Sequence, residues 1–198
     1  MKIVNVVWLD TNECSLSGWQ SKEELLDSKP CTVSSLGYMI KEDKDCITIT
    51  ADKDHYDEDD EVAVVAELSN TFGSNDGSFR LASISGNVWR YSSKGSTGVN
   101  ANATGFTPPV TSVLTGLSDI TNDVATIRVD GVEKASPTAD QGTGPFGTYP
   151  LNLGARNNGS LLQLDGRVYG LIVRGALSNA DEISSAEKYI GFKTGVPI

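Results

Sequence analysis

The run Val124-Ala125-Thr126-Ile127-Arg128-Val129-Asp130-Gly131-Val132-Glu133-Lys134 decides the fold class. Apolar and polar residues alternate on both sides of Asp130-Gly131, the period of a strand that faces core and solvent in turn. Asp-Gly between two such runs is the strongest short hairpin signal in the chain. A two-residue type I′ turn needs φ > 0 at both positions, and Gly meets that need without a Cβ penalty.

The same reading extends outward. Upstream, Val62 to Leu68 is a strand and Ser74-Asn75-Asp76-Gly77 is turn chemistry. Phe79 to Ile84 and Val88 to Ser92 are two more strands, separated by Ser85-Gly86-Asn87. Downstream, Leu151-Asn152-Leu153-Gly154 is a strand, and Gly166 to Arg174 is the longest apolar one. Asp181 to Phe192 reads as a helix capped by Asn179 or Ser178 and stopped by Gly195 and Pro197. Its apolar stripe is expected to be Ile183, Ala186, Tyr189 and Ile190. Many short strands with Gly-rich turns predict a mainly β protein built as a sandwich.

The 198 residues hold 38% hydrophobic and 21% charged side chains, enough for a sizeable core. The net charge of −10 argues against a partner read through its phosphate backbone, so no nucleic acid is expected. No apolar stretch approaches the length of a membrane span, and the start is too short for a secretory signal, so synthesis in a cytosol is expected. Residues 1–62 carry six Lys against 15 Asp and Glu, whereas the remainder is nearly balanced. All three cysteines, Cys14, Cys31 and Cys46, precede residue 47 and lack Cys-x-x-Cys spacing, which reads as free thiols. These shifts predict a junction near residues 57–61, with a small β-rich unit over 1–61 and the sandwich over 62–198. The first unit reads as a strand from Lys2 to Leu9 and a short helix behind the capping-box spacing Ser21 to Glu24. Strands from Cys31 to Ile40 and Cys46 to Thr50 follow.

Three segments carry a family likeness: the 125–132 hairpin, Tyr149 to Arg156, and Leu164 to Ser178 with the helix that follows. Together they resemble the concanavalin A-like, laminin-G-type jelly roll in the form found in bacteriophage virion and tail-associated proteins. The likeness covers residues 62–198. The first unit resembles small phage-encoded proteins of unassigned activity, through Val7-Trp8-Leu9-Asp10, Gly18-Trp19, Leu36 to Ile40 and Ile47-Thr48-Ile49. The resemblance implies a non-enzymatic virion component (tail, fibre or capsid decoration) made in the host bacterial cytoplasm. Its partners would be other virion proteins and further copies of itself. Laminin-G-type domains carry more strands before the counterpart of Val62. Residues 1–60, or a neighbouring subunit, are therefore expected to complete the sheet and cover its edge.

Chemistry is sparse. The Glu-x-Asp-x-x-Glu pattern of concanavalin-like glycoside hydrolases is absent from the strands. His55, the one histidine, lies in the acidic run Asp52-Lys53-Asp54-His55-Tyr56-Asp57, and no Gly-x-Ser-x-Gly elbow exists. Lys94-Gly95-Ser96-Thr97-Gly98 lacks phosphate-loop spacing and reads as a hairpin loop. An EF-hand started at Asp52 finds Asp57 at position six and Ala63 at position twelve, and fails. The family resemblance implies calcium on loop oxygens, for which Asn75, Asp76, Asp119, Asn122 and Asp123 are the candidates. Sugar binding needs an aromatic face and nearby amides. Trp89 and Tyr91 share a strand face, and Asn157 and Asn158 sit in a turn, although Trp89 reads first as sandwich core. The alternative function is thus a carbohydrate-binding module for a host surface glycan.

Overall fold

The computed structural model describes residues 45–53, 62–85, 87–156, 161–176 and 178–198. The elements expected over 1–40, the acidic run after residue 53, Asn157 and Asn158 lie outside them. Among the described residues, ten strands form two five-stranded antiparallel sheets. The first has the order β10-β1-β6-β7-β8 and the second β5-β4-β3-β2-β9. The strands are β1 (Asp45–Lys53), β2 (Val62–Leu68), β3 (Ser78–Ile84), β4 (Val88–Lys94) and β5 (Gly98–Thr104). They continue as β6 (Val110–Asp119), β7 (Val124–Val129), β8 (Val132–Ala135), β9 (Leu151–Leu153) and β10 (Val168–Arg174). Among the described residues the one helix is α1 (Ala180–Thr194). No helix of the described residues is long and apolar enough to cross a membrane. The architecture is a concanavalin-like β-sandwich.

Strand β1 precedes the expected junction and still belongs to the sandwich. It lies between β10 and β6, with Ile49 opposite Leu171 on one side and Leu114 on the other. The sandwich therefore starts before residue 62, and part of the missing strand inventory comes from this chain. Charge composition marks the 57–61 run but says nothing about which backbone a strand pairs with.

The two layers meet through side chains that alternate along each strand. Phe79, Leu81, Trp89, Tyr91, Ala101 and Ala103 of the second sheet face Ile49, Leu114, Ile127 and Val129 of the first. Tyr91 spans the interlayer space. An ideal Cβ at Gly116 of β6 would fall 2.3 Å from the Tyr91 ring, so the ring rests on backbone that only Gly leaves bare. The Tyr91 hydroxyl then shares a 2.6 Å hydrogen bond with the Ser118 Oγ. Strands β5 and β6 escape the sequence pattern for related reasons. Strand β5 is rich in Asn, Ala and Gly, which have poor strand preference, and β6 carries Gly116 in its interior.

The Asp130-Gly131 turn has the expected form. Asp130 has φ 50° and Gly131 φ 76°, and Val129 pairs with Val132 across it. Asp130 also bonds back to β6, its Oδ1 accepting from Val113 N at 2.8 Å.

Helix α1 is capped by Asn179, one of the two residues expected from sequence, and the cap is a full capping box. Asn179 Oδ1 accepts from Glu182 N at 2.9 Å, Glu182 Oε2 accepts from Asn179 N at 3.0 Å, and Gly195 ends the helix with φ 76°. Its buried face differs from the expected stripe. Tyr189 is 54% exposed, and the buried positions are Glu187, Ile190 and Gly191. The reason is an ion pair. Glu187 is engaged in two bonds from Arg128 of β7, Nε to Oε1 at 2.8 Å and Nη2 to Oε2 at 3.1 Å. Turning a charged residue inward rotates the apolar stripe away from Tyr189.

Gly116→Ala is expected to cost about 1–3 kcal/mol, because the new methyl overpacks the Tyr91 ring. A urea melt checks this, and an unchanged midpoint would show that Tyr91 does not rest on β6.

Candidate functional site

The outer face of the second sheet is polar where its inner face is apolar. Register places Asn152 of β9, Glu67 of β2, Arg80 of β3, Ser92 of β4 and Asn100 of β5 side by side across all five strands. One step along, Ala82, Arg90 and Asn102 form a second row. These positions alternate with core residues such as Leu81, Trp89, Tyr91 and Ala101, so strand period alone carries them to this face.

Glu67 organises the rows. It is fully buried, and Arg156 grips it with two parallel bonds, Nε to Oε1 at 2.8 Å and Nη2 to Oε2 at 2.7 Å. Ser69 Oγ also donates to Oε1. Asn152 Nδ2 donates to the Ser69 carbonyl at 2.7 Å, tying β9 to the same corner. Arg156 also forms an isolated antiparallel bridge with Leu161, so the ion pair ties that bridge to β2.

The arginines are not balanced. Arg80 lies beside the occupied Glu67, and its guanidinium stacks 4.8 Å from the centre of the Phe72 ring. Burial pushes the Arg80 pKa below its usual range. Glu67 opposes that shift, while Arg156 and Arg90 add to it. Among the described residues Arg80 Nε is buried with no hydrogen-bond partner. Arg90 donates its Nε to Asn102 Oδ1 at 2.8 Å, which uses one of five donors. Ser92 Oγ donates to Asn100 Oδ1 at 2.6 Å. Asn100 and Asn102 are exposed. Three arginines thus share this face with one occupied carboxylate, on a chain whose net charge is −10. Such a surface suits an anionic group flanked by hydroxyls: guanidinium forks match carboxylates, and exposed amides match alcohols.

The site residues expected from sequence that are described lie elsewhere. Trp89 and Tyr91 do share a strand face, but it is the inner one, and both are fully buried. They form core and cannot stack on a sugar at the surface. Asn157 and Asn158 lie outside the described residues. The expected calcium ligands fall into two loops at one end of the sandwich, where their oxygens close turns. Asn75 Oδ1 accepts from Asn70 N at 2.9 Å and Thr71 N at 3.0 Å. Asp76 pairs with Lys94 Nζ at 3.1 Å. Asp119 Oδ2 accepts from Asn122 Nδ2 at 2.7 Å, and Asp123 Oδ1 accepts from Gln141 N at 2.9 Å. The fully buried Gln141 links the second of these loops to the turn between β4 and β5, its backbone carbonyl accepting from Thr97 N at 3.0 Å. Among the described residues, no group of three or more His, Cys, Asp or Glu side chains is placed to hold a metal ion. Among the described residues these oxygens are engaged in bonds that close or brace the loops.

Sequence reasoning did not single out Glu67, Arg80, Arg90 or Arg156. The available signal was a charged residue at an outward position of an otherwise apolar strand, repeated on β2, β3 and β4.

No family model matches the chain, and no curated protein matches it by sequence. Solved structures share the fold. The CBM40 domain of the Ruminococcus gnavus IT-sialidase, bound to alpha2,3 sialyllactose, aligns with a TM-score of 0.56 at 15% identity. The alignment covers 73% of this chain and 83% of that domain. The NanB sialidase of Streptococcus pneumoniae aligns with a TM-score of 0.57 at 16% identity over 74% of this chain, but only 24% of the sialidase. A Trypanosoma rangeli sialidase in complex with the inhibitor DANA aligns with a TM-score of 0.51 at 13% identity, over 73% of this chain and 22% of that one. These likenesses establish the sandwich and join it to no single family.

Arg156→Ala strands the Glu67 carboxylate in the sheet and is expected to cost about 3–5 kcal/mol, the usual loss when one partner of a buried ion pair is removed. Chemical denaturation measures it. A loss below about 1 kcal/mol would show that the carboxylate reaches water, as exposed pairs do.

Proposed function

We propose that the protein is a non-catalytic carbohydrate-binding module whose second sheet receives an acidic sugar on its outer face. The carrying observation is the arginine excess: Arg80 lies beside, and Arg90 one row along from, a single carboxylate already occupied by Arg156 and Ser69. In this reading Arg80 and Arg90 bind the sugar carboxylate, and Asn100, Asn102 and Asn152 meet its hydroxyls. Two supports come from outside the rows. Phe72 lies against Arg80 and supplies an apolar flank. The similar CBM40 domain was solved with alpha2,3 and alpha2,6 sialyllactose.

Catalysis has little support on this face. Glycoside hydrolysis uses a pair of carboxylates flanking the scissile bond, and these rows hold one, locked in an ion pair. The virion setting implied by the sequence resemblance fits the same module: displayed on a particle, it would engage a glycan on the host surface.

Calorimetric titration with sialyllactose and with lactose tests the proposal. Sialyllactose is expected to bind and lactose to bind at least tenfold more weakly, because a charge-assisted hydrogen bond contributes roughly 1.5–3 kcal/mol. Arg90→Ala should lower sialyllactose affinity by at least tenfold without changing the thermal midpoint by more than a few degrees. Equal affinity for both sugars, or unchanged affinity in Arg90→Ala, would overturn the acidic-sugar assignment.

A further inference from the structure

Each sheet ends in strands whose outer backbone groups are open to pairing, and three of the four edges among the described residues are blunted. Strand β9 has only three residues. Strand β8 has four, carries Glu133 and Lys134, and pairs irregularly with β7 between Ile127 and Arg128. Strand β10 meets a register shift at Thr50/Ala51 of β1 and ends at Arg174, which pairs with Glu182 of α1. Short length, charge, irregularity and a covering helix are the devices that keep sheet edges from pairing with other chains.

Strand β5 uses none of them. Its seven residues, Gly98-Val99-Asn100-Ala101-Asn102-Ala103-Thr104, keep unbroken register with β4 and include no charge and no proline. Among the described residues no strand pairs with its other edge. Its outward residues are exposed and its inward residues buried, in strict alternation, so the strand is regular over its whole length.

We propose that β5 pairs antiparallel with β5 of a second copy, around a two-fold axis through Ala101, joining two second sheets into one ten-stranded sheet. The strand is self-complementary about that point. Asn100 falls opposite Asn102 of the partner, Val99 opposite Ala103, and Gly98 opposite Thr104, so small polar side chains meet on the outer face and small apolar ones on the inner. Charge selects the same edge. A chain of net charge −10 repels its own copies, and β5 is an uncharged strand bordered by the basic rows of β4 and β3. An antiparallel two-fold keeps both outer faces on one side. The two Arg90 rows then stand three strand spacings apart, roughly 14 Å, beyond the screening length of about 8 Å at physiological salt. The pair would present two arginine faces toward one surface, a geometry that raises avidity for a multivalent ligand. The pairing itself stands without the sugar assignment.

Light scattering on the full chain at rising concentration, together with backbone amide exchange over residues 98–104, tests it. The mass is expected to climb toward twice the 21.0 kDa chain mass. Over the same range, the outward-facing amides of β5 should slow by at least tenfold. Asn100→Lys with Asn102→Lys sets like charges opposite one another across the axis and should return the mass to that of a single chain, with the circular dichroism of the β-sandwich retained. If that double variant fails to fold, the exchange measurement on the natural chain decides alone. A single-chain mass at every concentration, or β5 amides equally slow when dilute, would overturn the proposal. So would a dimer that survives in a folded double variant.

Discussion

Burying the Glu67 carboxylate in the second sheet is the constraint around which the outer face is arranged. A desolvated carboxylate is tolerated only with good partners, and Arg156 and Ser69 supply them. That single requirement fixes the position of Arg156 and leaves Arg80 beside an anion that is already occupied. Without Glu67, three guanidiniums would share one face with nothing between them. With it, one of the three charges is offset, and the face remains positive.

The rigidity that such an arrangement needs comes from the opposite side of the same strands. Arg80 and Arg90 alternate with Phe79, Leu81, Trp89 and Tyr91, all buried between the layers. Tyr91 is seated on Gly116 and bonded to Ser118 of the facing sheet, which fixes the separation of the layers at β4. A strand pinned from below in this way presents its outward residues at fixed spacing. The first sheet is held at its far side by another buried charge, Glu187 of α1 on Arg128 of β7. The two ion pairs do similar work at opposite surfaces: each ties a segment outside the layers to a strand within them.

Much of the fold was legible in the sequence, and the site was not. The Asp130-Gly131 turn, the strands β2, β3, β4, β7, β8 and β10, and the helix cap at Asn179 are local signals, encoded within a few residues of one another. Strands β5 and β6 lack that local signal, since Asn, Ala and Gly are chosen there for what lies across the layer or along the edge. The helix face was misread because Glu187 counts as polar in any periodicity and yet turns inward to Arg128, 59 residues away. Trp89 and Tyr91 attracted attention as aromatics on one face, and only the pairing of two sheets shows that this face is the inner one. The arginine rows depend on register: Glu67 meets Arg80, and Ala82 meets Arg90, through strand pairing that no short window of sequence displays.

The central claim is that the arginine rows, and not the aromatic pair or the loop carboxylates, form the binding surface. Amide chemical-shift mapping of the full chain during titration with sialyllactose tests it most directly. The account predicts that perturbed amides cluster on β2 to β5 around Glu67, Arg80, Arg90, Asn100 and Asn102, with the loops at Asn75 and Asp119 unmoved. Perturbations confined to those loops, or no perturbation at saturating sugar, would contradict it.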